Sequence, residues 1–522
     1  MSAPAEHAPT LAGSTFAGPR PGWSIHRLVA WSPGHLVTLS LFCGFLFFHR
    51  LADRDLWNSH EARAAQDAQT ILDDGCWGLP RLFDGRPELQ KPPLYYWLVA
   101  GAACCRGGVV DAWAVRLPAA VAALGCVLLV YSLLRRRGRP IAGLTAALVL
   151  ATAMHFTWLA RVGRIDMPLT LAVSVALLGG LWLNNGSFGW TLLAYLAIAA
   201  GLLLKGPIAV VLPAAVAAVH LLTECLLRGR GKADGTGRPV TWSSLWWGVP
   251  LVLGLTVPWY VWANVQTAGE FWRVFFWHHN IERGLGGSER LRAHPWWFYG
   301  PQLLLDWLPW SPFLLVAGWW LVRRGWWRAD AEARFGLVWL VTMAAVLSCF
   351  RFKRADYLLP AYPGAALFLG CVMEHWLRET RRPRCLAAGF ALVVGMTTAS
   401  WLVYVDWNLP RWEPCREYRR FAAEIRRRAP APERILFFRT EAHALAFHVG
   451  RPLDVLVWWD DLDAWAARPG VHYVVMPPTS AGERQRWLRS ARLEEVLSNS
   501  DLVAGGHEKP LVLLRTCPLP GE

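Results

Sequence analysis

The chain has 522 residues, 54% of them hydrophobic and 17% charged, with 33 Trp and a mean hydropathy of +0.26. That composition excludes an ordinary soluble domain and points to a polytopic membrane protein. The formal net charge of +15 does not indicate nucleic acid, because Lys and Arg gather in short clusters between apolar segments rather than on one periodic face.

Residues 1–32 form a Pro/Ala/Gly-rich tail predicted to be disordered, without a cleavage site behind a short apolar core, so the first span is expected to remain as an anchor. A helical span needs about 20 mostly apolar residues. Segments of that kind lie near 33–50, 112–134, 140–157, 167–184, 190–204, 206–227, 245–264, 301–321, 335–350, 357–376 and 385–405, eleven in all. With eleven spans, the basic clusters at 135–139, 228–232, 323–324 and 378–384 all fall on one side, which the positive-inside rule makes the cytoplasm. The segment from Pro92 to Cys105 is too short to cross and is predicted to lie at the interface, with Tyr95, Tyr96 and Trp97 at headgroup level.

After Asp406 the hydropathy falls and short segments alternate: helix-like 415–428, strand-like 434–438, helix-like 441–449, strand-like 454–458, helix-like 480–489 and strand-like 510–515. The expected fold is an all-α polytopic membrane bundle over 33–405, of about 11 transmembrane helices with juxtamembrane helices in the first outer loop. A small α/β domain over 406–522 follows on the outer face. No Gly-rich phosphate loop is present, so no nucleotide cofactor is predicted. Most of the 11 Cys lie in apolar segments and read as packing, while Cys415 and Cys517 could pair in an oxidising compartment.

The polar residues that stand out collect on the outer face. In the first loop Ser59 is placed as N-cap of an amphipathic helix lying on the membrane, with Ala65, Ala68, Ile71 and Leu72 on its apolar side. His60 and Glu61 fall in its first turn and Arg63 follows. There a carboxylate could act on a substrate or merely complement the helix dipole. Lys91 precedes the rigid pair Pro92-Pro93, positioned for a lipid phosphate, although a snorkelling lysine would look the same. Arg161, Arg164 and Asp166 stand at the mouth of the fourth span, where ionisable groups are costly; a structural Arg–Asp pair is the alternative to a functional one. Lys205 is the only charged residue between Asn185 and Glu224 and needs an anion or exposure. His278, His279, Glu282 and Arg283, and then Arg351, Lys353, Arg354 and Asp356, give two further basic surroundings suited to a phosphate or to anionic lipid. A few carboxylates and many cations on one membrane face suit glycosyl transfer from a lipid-phosphate sugar, one group taking a proton and the others stabilising the departing phosphate.

The stretches LWNSHEARAAQDAQTILDDGCWGLPRLFDGRPELQKPPLYYW, ARVGRIDMPLT, GLLLKGP, FFWHHNIERG and ADYLLPAYP, over roughly residues 30–405, resemble in order and spacing the GT-C membrane glycosyltransferases. The similarity is to the lipid A aminoarabinose transferase and protein mannosyltransferase-like branch. The resemblance implies an inverting transfer from a polyprenyl-phosphate-linked sugar donor to a lipid, glycan or protein acceptor, on the periplasmic face of a bacterial inner membrane. Its partners would be that donor, that acceptor and membrane lipids, with no nucleic acid. By similarity, Asp166 matches the acidic residue at the fourth span, Lys91 a lysine that contacts lipid phosphate, and Lys205 a motif lysine. The chain departs from the family in having His60-Glu61 where an Asp-Glu pair is usual, and Gln90 where an acidic residue is frequent. Candidate catalytic residues are therefore Glu61, Asp166 and His60. Candidate lipid-phosphate ligands are Lys91, Lys205, Arg63, His279, Arg283 and Arg354. A divalent metal ion stays open as a cofactor. A transporter or flippase, or a non-catalytic binder of lipid-linked saccharide, is the alternative.

Overall fold

The computed structural model describes residues 33–183, 187–228, 242–282 and 293–517; the expected tail and the stretch Arg230 to Lys232 lie outside the described residues. Among the described residues eight helices are long and apolar enough to cross a membrane, or nine when the bent pair Pro140–Thr152 and Met154–Ala160 counts as one span. The expected eleven is reached only by adding two shorter apolar helices, Gly34–Phe48 and Ser311–Leu321. The expected span 301–321 is not continuous: it divides into Tyr299–Asp306 and Ser311–Arg324. Trp307 and Trp310, both fully buried, occupy the break, and Pro309 between them has no N–H to carry a helix through.

A second break shapes one mouth of the bundle. Ala153 takes an extended conformation with ψ 124°, and the chain bends by 69° between the two halves of the span. Backbone donors freed inside a membrane must find partners, and the Met154 N–H donates to the Leu308 carbonyl at 2.9 Å. The two broken segments thus brace each other.

The first outer loop is folded onto the bundle rather than spread on the membrane. Asn58, not Ser59, is the N-cap of the helix Ser59–Asp74, its side-chain oxygen accepting from the Glu61 N–H at 2.8 Å. Ala62, Ala65, Ala68 and Ile71 are fully buried within the protein, because a face of small residues lets the neighbouring helix Leu94–Cys104 and the C-terminal unit approach closely. Tyr95 and Tyr96 are likewise buried instead of lying at headgroup level, and the Tyr95 hydroxyl donates to the Val115 carbonyl at 2.8 Å.

One buried arginine ties this loop down. Arg116, in the helix Ala112–Arg136, donates to Glu61 at 2.7 Å and to the carbonyls of Leu51 (2.8 Å), Arg54 (2.7 Å) and Asp55 (2.7 Å). Arg54 reaches the same Glu61 oxygen, Oε1, at 3.3 Å. Gly163 completes the site, its N–H donating to Glu61 at 2.9 Å; any Cβ there would lie 2.4 Å from the Val115 side chain, so only glycine allows the approach. Burial by itself would raise the Glu61 carboxyl, but Arg116 and Arg54 pull it down to about 2. Arg161, expected at the mouth, instead caps the first span, donating to the carbonyls of His49 (2.6 Å) and Leu46 (3.2 Å).

The C-terminal unit is a five-stranded sheet in the order β2-β1-β3-β5-β4, with β1 (Ile435–Phe438), β2 (Leu453–Leu456), β3 (Tyr473–Met476), β4 (Arg492–Ser498) and β5 (Val512–Cys517). Strands β1, β2 and β3 are parallel, while β5 runs antiparallel to β3 and β4. The sequence patterns anticipate β1, β2 and β5 but not β3, β4 or the helix Trp459–Ala466, which are too short or too mixed to show a period. Cys415 and Cys517 are both unpaired thiols.

The helix His443–Val449 of this unit packs on Ser59–Asp74, where Gln66 donates to the His443 carbonyl at 2.9 Å and Arg451 pairs with Asp74 (2.6 Å) and Asp73 (3.0 Å). Asp55 is the buried pivot, facing His448 at 2.7 Å, the Tyr418 N–H at 3.2 Å and Arg419 at 3.5 Å. Burial would raise its carboxyl, yet His448 and the Leu56 N–H with Arg419 hold it at about 2.

Two outcomes are expected. Arg116→Met, which strips Glu61 of its main partner and orphans three carbonyls, should lower unfolding stability by about 3–5 kcal/mol in detergent, read by thermal or denaturant melts; a loss near zero would show that the buried pair is dispensable. Because the folded pKa of Asp55 lies below its unfolded value, its contribution is complete above about pH 4 and lost as pH falls toward 2, on the order of 2 kcal/mol. Hydrogen exchange in 443–449 should therefore accelerate over that interval in wild type, and Asp55→Asn should abolish the acid step.

Candidate active site

Where the bent span, the fourth span and the turn at 355–361 meet, the sequence places its charged residues in contact. Asp166 opens the helix Asp166–Leu178 and is 3% exposed. Lys205 closes the helix Phe188–Lys205, and its ammonium meets Asp166 at 2.5 Å and lies 4.3 Å from the centre of the Tyr357 ring. Gly206 ends that helix at φ 81°, and a Cβ there would lie 2.6 Å from the Phe275 ring, so glycine is what lets Lys205 sit at the very end. Arg164 bridges two carboxylates, Asp166 at 3.3 Å and Asp356 at 2.5 Å. Asp356 also meets Arg354 at 3.3 Å and His155 at 3.4 Å.

Beside this cluster an apolar cleft opens, with about 830 Å³ of empty space. Leu169, Ile208, Leu212, Leu347 and Pro360 form part of its apolar lining, and Gln90, Lys91, Lys205, His279 and Tyr357 its polar part. Such a shape, hydrocarbon below and cations above, accommodates an isoprenoid or acyl chain ending in a phosphate.

His60 stands at the cluster, exposed, with Nε2 3.4 Å from an Arg354 nitrogen, so this ring nitrogen is placed as an acceptor. Neighbouring groups take part of the water from the imidazole, and Arg164 and then Arg354 add their repulsion, so the ring is pressed down to about 3 and is neutral at physiological pH.

The remaining expected residues are placed elsewhere. Glu61, 0% exposed, has both oxygens engaged by arginines and none open to the cleft. Arg63 pairs with Glu88 at 2.6 Å and faces a different cleft, between the first loop and the sheet. Beside it, burial and then the charge of Glu88 push the Asp67 carboxyl well up. Lys353 is buried and donates to the carbonyls of His294 (3.2 Å) and Phe350. Arg283 lies outside the described residues.

Three residues that join these charge networks escaped the motif reading: His155, Asp306 and Arg116. Each is a lone ionisable residue in an apolar stretch, the signal that could have found them. Among the described residues no group of three or more His, Cys, Asp and Glu is arranged to hold a metal ion. Nor do Asp166 and Asp356 fit a divalent cation, since Lys205, Arg164, Arg354 and His155 already face their oxygens.

The family described as dolichyl-phosphate-mannose-protein mannosyltransferase matches residues 90–262. An undecaprenyl phosphate-alpha-4-amino-4-deoxy-L-arabinose arabinosyl transferase of Pseudomonas paraeruginosa (strain DSM 24068 / PA7) is 32% identical over 364 residues, covering 68% of this chain and 61% of that protein. Its counterpart in Pseudomonas aeruginosa PAO1 is 32% identical over 347 residues, 64% of this chain and 59% of that one. Over this region the chain is similar to the GT-C membrane glycosyltransferases. It spans about three fifths of the length of those curated relatives (61% and 59%). The fold agrees with solved members: ArnT from Cupriavidus metallidurans in the apo state superposes with a TM-score of 0.72 at 18% identity, over 92% of this chain and 98% of that one. The archaeal oligosaccharyltransferase AglB from Archaeoglobus fulgidus gives 0.52 at 13% identity, over 89% and 72%. As in that family, the chain is a multi-pass membrane protein.

Proposed function

We propose that this protein transfers a sugar from a polyprenyl-phosphate donor to a lipid, glycan or protein acceptor, at the periplasmic face of a bacterial inner membrane. The observation that carries this is the apolar cleft among the spans whose polar end, at Lys91, Lys205 and His279, adjoins the Asp166–Arg164–Asp356 cluster. The names of its relatives point to the same donor class: they are undecaprenyl-phosphate-linked arabinosyl transferases, and the C. metallidurans ArnT was also solved with undecaprenyl phosphate bound, at a TM-score of 0.69.

In this reaction an acceptor oxygen attacks the anomeric carbon, the bond from that carbon to the phosphate oxygen breaks, and its electron pair leaves with polyprenyl phosphate. The growing negative charge is met by Lys91, Lys205 and Arg354, fixed cations beside a low-dielectric cleft. Asp166 holds Lys205 and Arg164 toward that charge rather than acting as base, because its oxygens are engaged by both. Glu61 belongs to the scaffold, since arginines enclose it. The proton of an acceptor hydroxyl goes to His60 Nε2, which the donor phosphate frees by drawing away the Arg354 guanidinium that faces it at 3.4 Å. Loss of water is the first cause that depresses that imidazole and Arg164 and Arg354 the next; the donor phosphate would neutralise the two arginines and so lift their share of the depression.

The acceptor head fits the second cleft, about 1370 Å³, between the first loop and the carboxyl ends of β1 and β2. Gln90 lines both clefts, which places the two substrates side by side.

In proteoliposomes carrying an undecaprenyl-phosphate sugar, Asp166→Asn should reduce release of undecaprenyl phosphate by about a hundredfold or more, and mass spectrometry of envelope lipids and glycans from cells lacking the protein should show one sugar adduct missing that only wild type restores. Unimpaired transfer by a well-folded Asp166→Asn protein would sink the proposal. With the free-site imidazole near 3, kcat/KM should stay flat from about pH 8 down to about pH 5. An acid limb near the ordinary histidine value would remove His60 as the base in the free enzyme.

A further inference from the structure

The cluster does not end at Asp356. Behind it, His155 lies with one ring nitrogen, Nε2, 3.4 Å from Asp356 and the other, Nδ1, 3.3 Å from Asp306 and 3.0 Å from the Tyr362 hydroxyl. The Tyr362 hydroxyl in turn donates to Asp306 at 3.2 Å, and Gln302 fixes the other Asp306 oxygen at 2.8 Å. His155 is there only because its span breaks at Ala153: the 69° bend carries the short helix Met154–Ala160 away from the line of Pro140–Thr152, and the Met154–Leu308 hydrogen bond locks it beside the segment that follows Asp306. A span serving only as an anchor has no need of that break, whose freed backbone groups must be satisfied in the membrane.

We propose that His155 is a positioning residue for the donor phosphate: anchored through Asp306 and Tyr362, it holds Asp356, and Asp356 holds Arg164 and Arg354 at the cleft. The inference rests on the function proposed above. Asp356 has three nitrogen-bearing neighbours, Arg164, Arg354 and His155, and Arg164 connects it through Asp166 to Lys205, which lines the cleft. Remove the third, and the carboxylate has only Arg164 and Arg354 to draw upon, so both guanidinium groups turn inward and away from a ligand. A carboxylate pair, Asp306 and Asp356, is left facing a gap where the ring had separated them. His155 itself does not reach the phosphate in this arrangement; it acts through Asp356.

The test is undecaprenyl phosphate binding to the full-length protein in detergent, with melting temperature measured on the same samples. His155→Ala should weaken binding about tenfold, the scale of one misplaced charged hydrogen bond, at a melting temperature close to wild type. His155→Gln, which restores one hydrogen bond to the carboxylates, should recover part of the loss. Asp306→Asn should weaken binding less than His155→Ala, and the double variant should be no weaker than His155→Ala alone, because both act through one chain of contacts. Lys91→Ala, at the cleft itself, should weaken binding independently and add to His155→Ala. Wild-type affinity in His155→Ala, strictly additive losses for the 155 and 306 variants, or no recovery in His155→Gln would overturn the inference while leaving the proposed function standing. Failure of the wild-type protein to bind undecaprenyl phosphate would remove both.

Discussion

The structure depends on mutual neutralisation of charges at membrane depth. An unpaired carboxylate or ammonium there costs several kcal/mol, and this fold meets the cost by linking its ionisable groups into continuous chains. One runs from Lys205 through Asp166, Arg164, Asp356 and His155 to Asp306, each contact within 3.4 Å. Four sequence-distant segments contribute to it, so the packing of those segments and the geometry of the cleft cannot vary independently.

A second charged centre does a different task. Glu61 gathers Arg116, Arg54 and the Gly163 N–H, and Arg116 extends to three carbonyls of the segment before it. The first outer loop is thereby held as a rigid wall of the cleft, and the helix Ser59–Asp74 becomes the surface on which the C-terminal sheet docks. Arg116 and Asp55 together mean that the loop carrying His60 is fixed from below by the bundle and from above by the sheet domain. A residue at the start of that helix, such as His60, can then be presented to the cleft with little freedom to move, which is what a site needs if it is to act on a lipid carried in from the side.

The departure from the family's usual acidic pair becomes intelligible in this frame. Its second member, Glu61, is scaffold, and scaffold must be kept. The first position stands beside Arg354, where a neutral imidazole leaves out the negative charge a carboxylate would bring. The chain thus keeps its buried counter-ion while altering the group beside the cluster.

Much of the fold was legible in the sequence, and the reason is local. Span positions follow from runs of apolar residues, and the short helix at Leu94–Cys104 from its length, since each is a property of one contiguous stretch. Asp166, Lys205 and Lys91 could be singled out for the same reason, as lone charges in oily surroundings. Partnership could not be read that way. That Glu61 would be enclosed, that Arg63 and Lys353 would point away from the cleft, and that a span would bend so His155 could stand between Asp306 and Asp356 all depend on which helices pack together. A single sequence specifies that a buried charge must be neutralised. Only the tertiary structure decides which partner, brought from elsewhere in the chain, neutralises it.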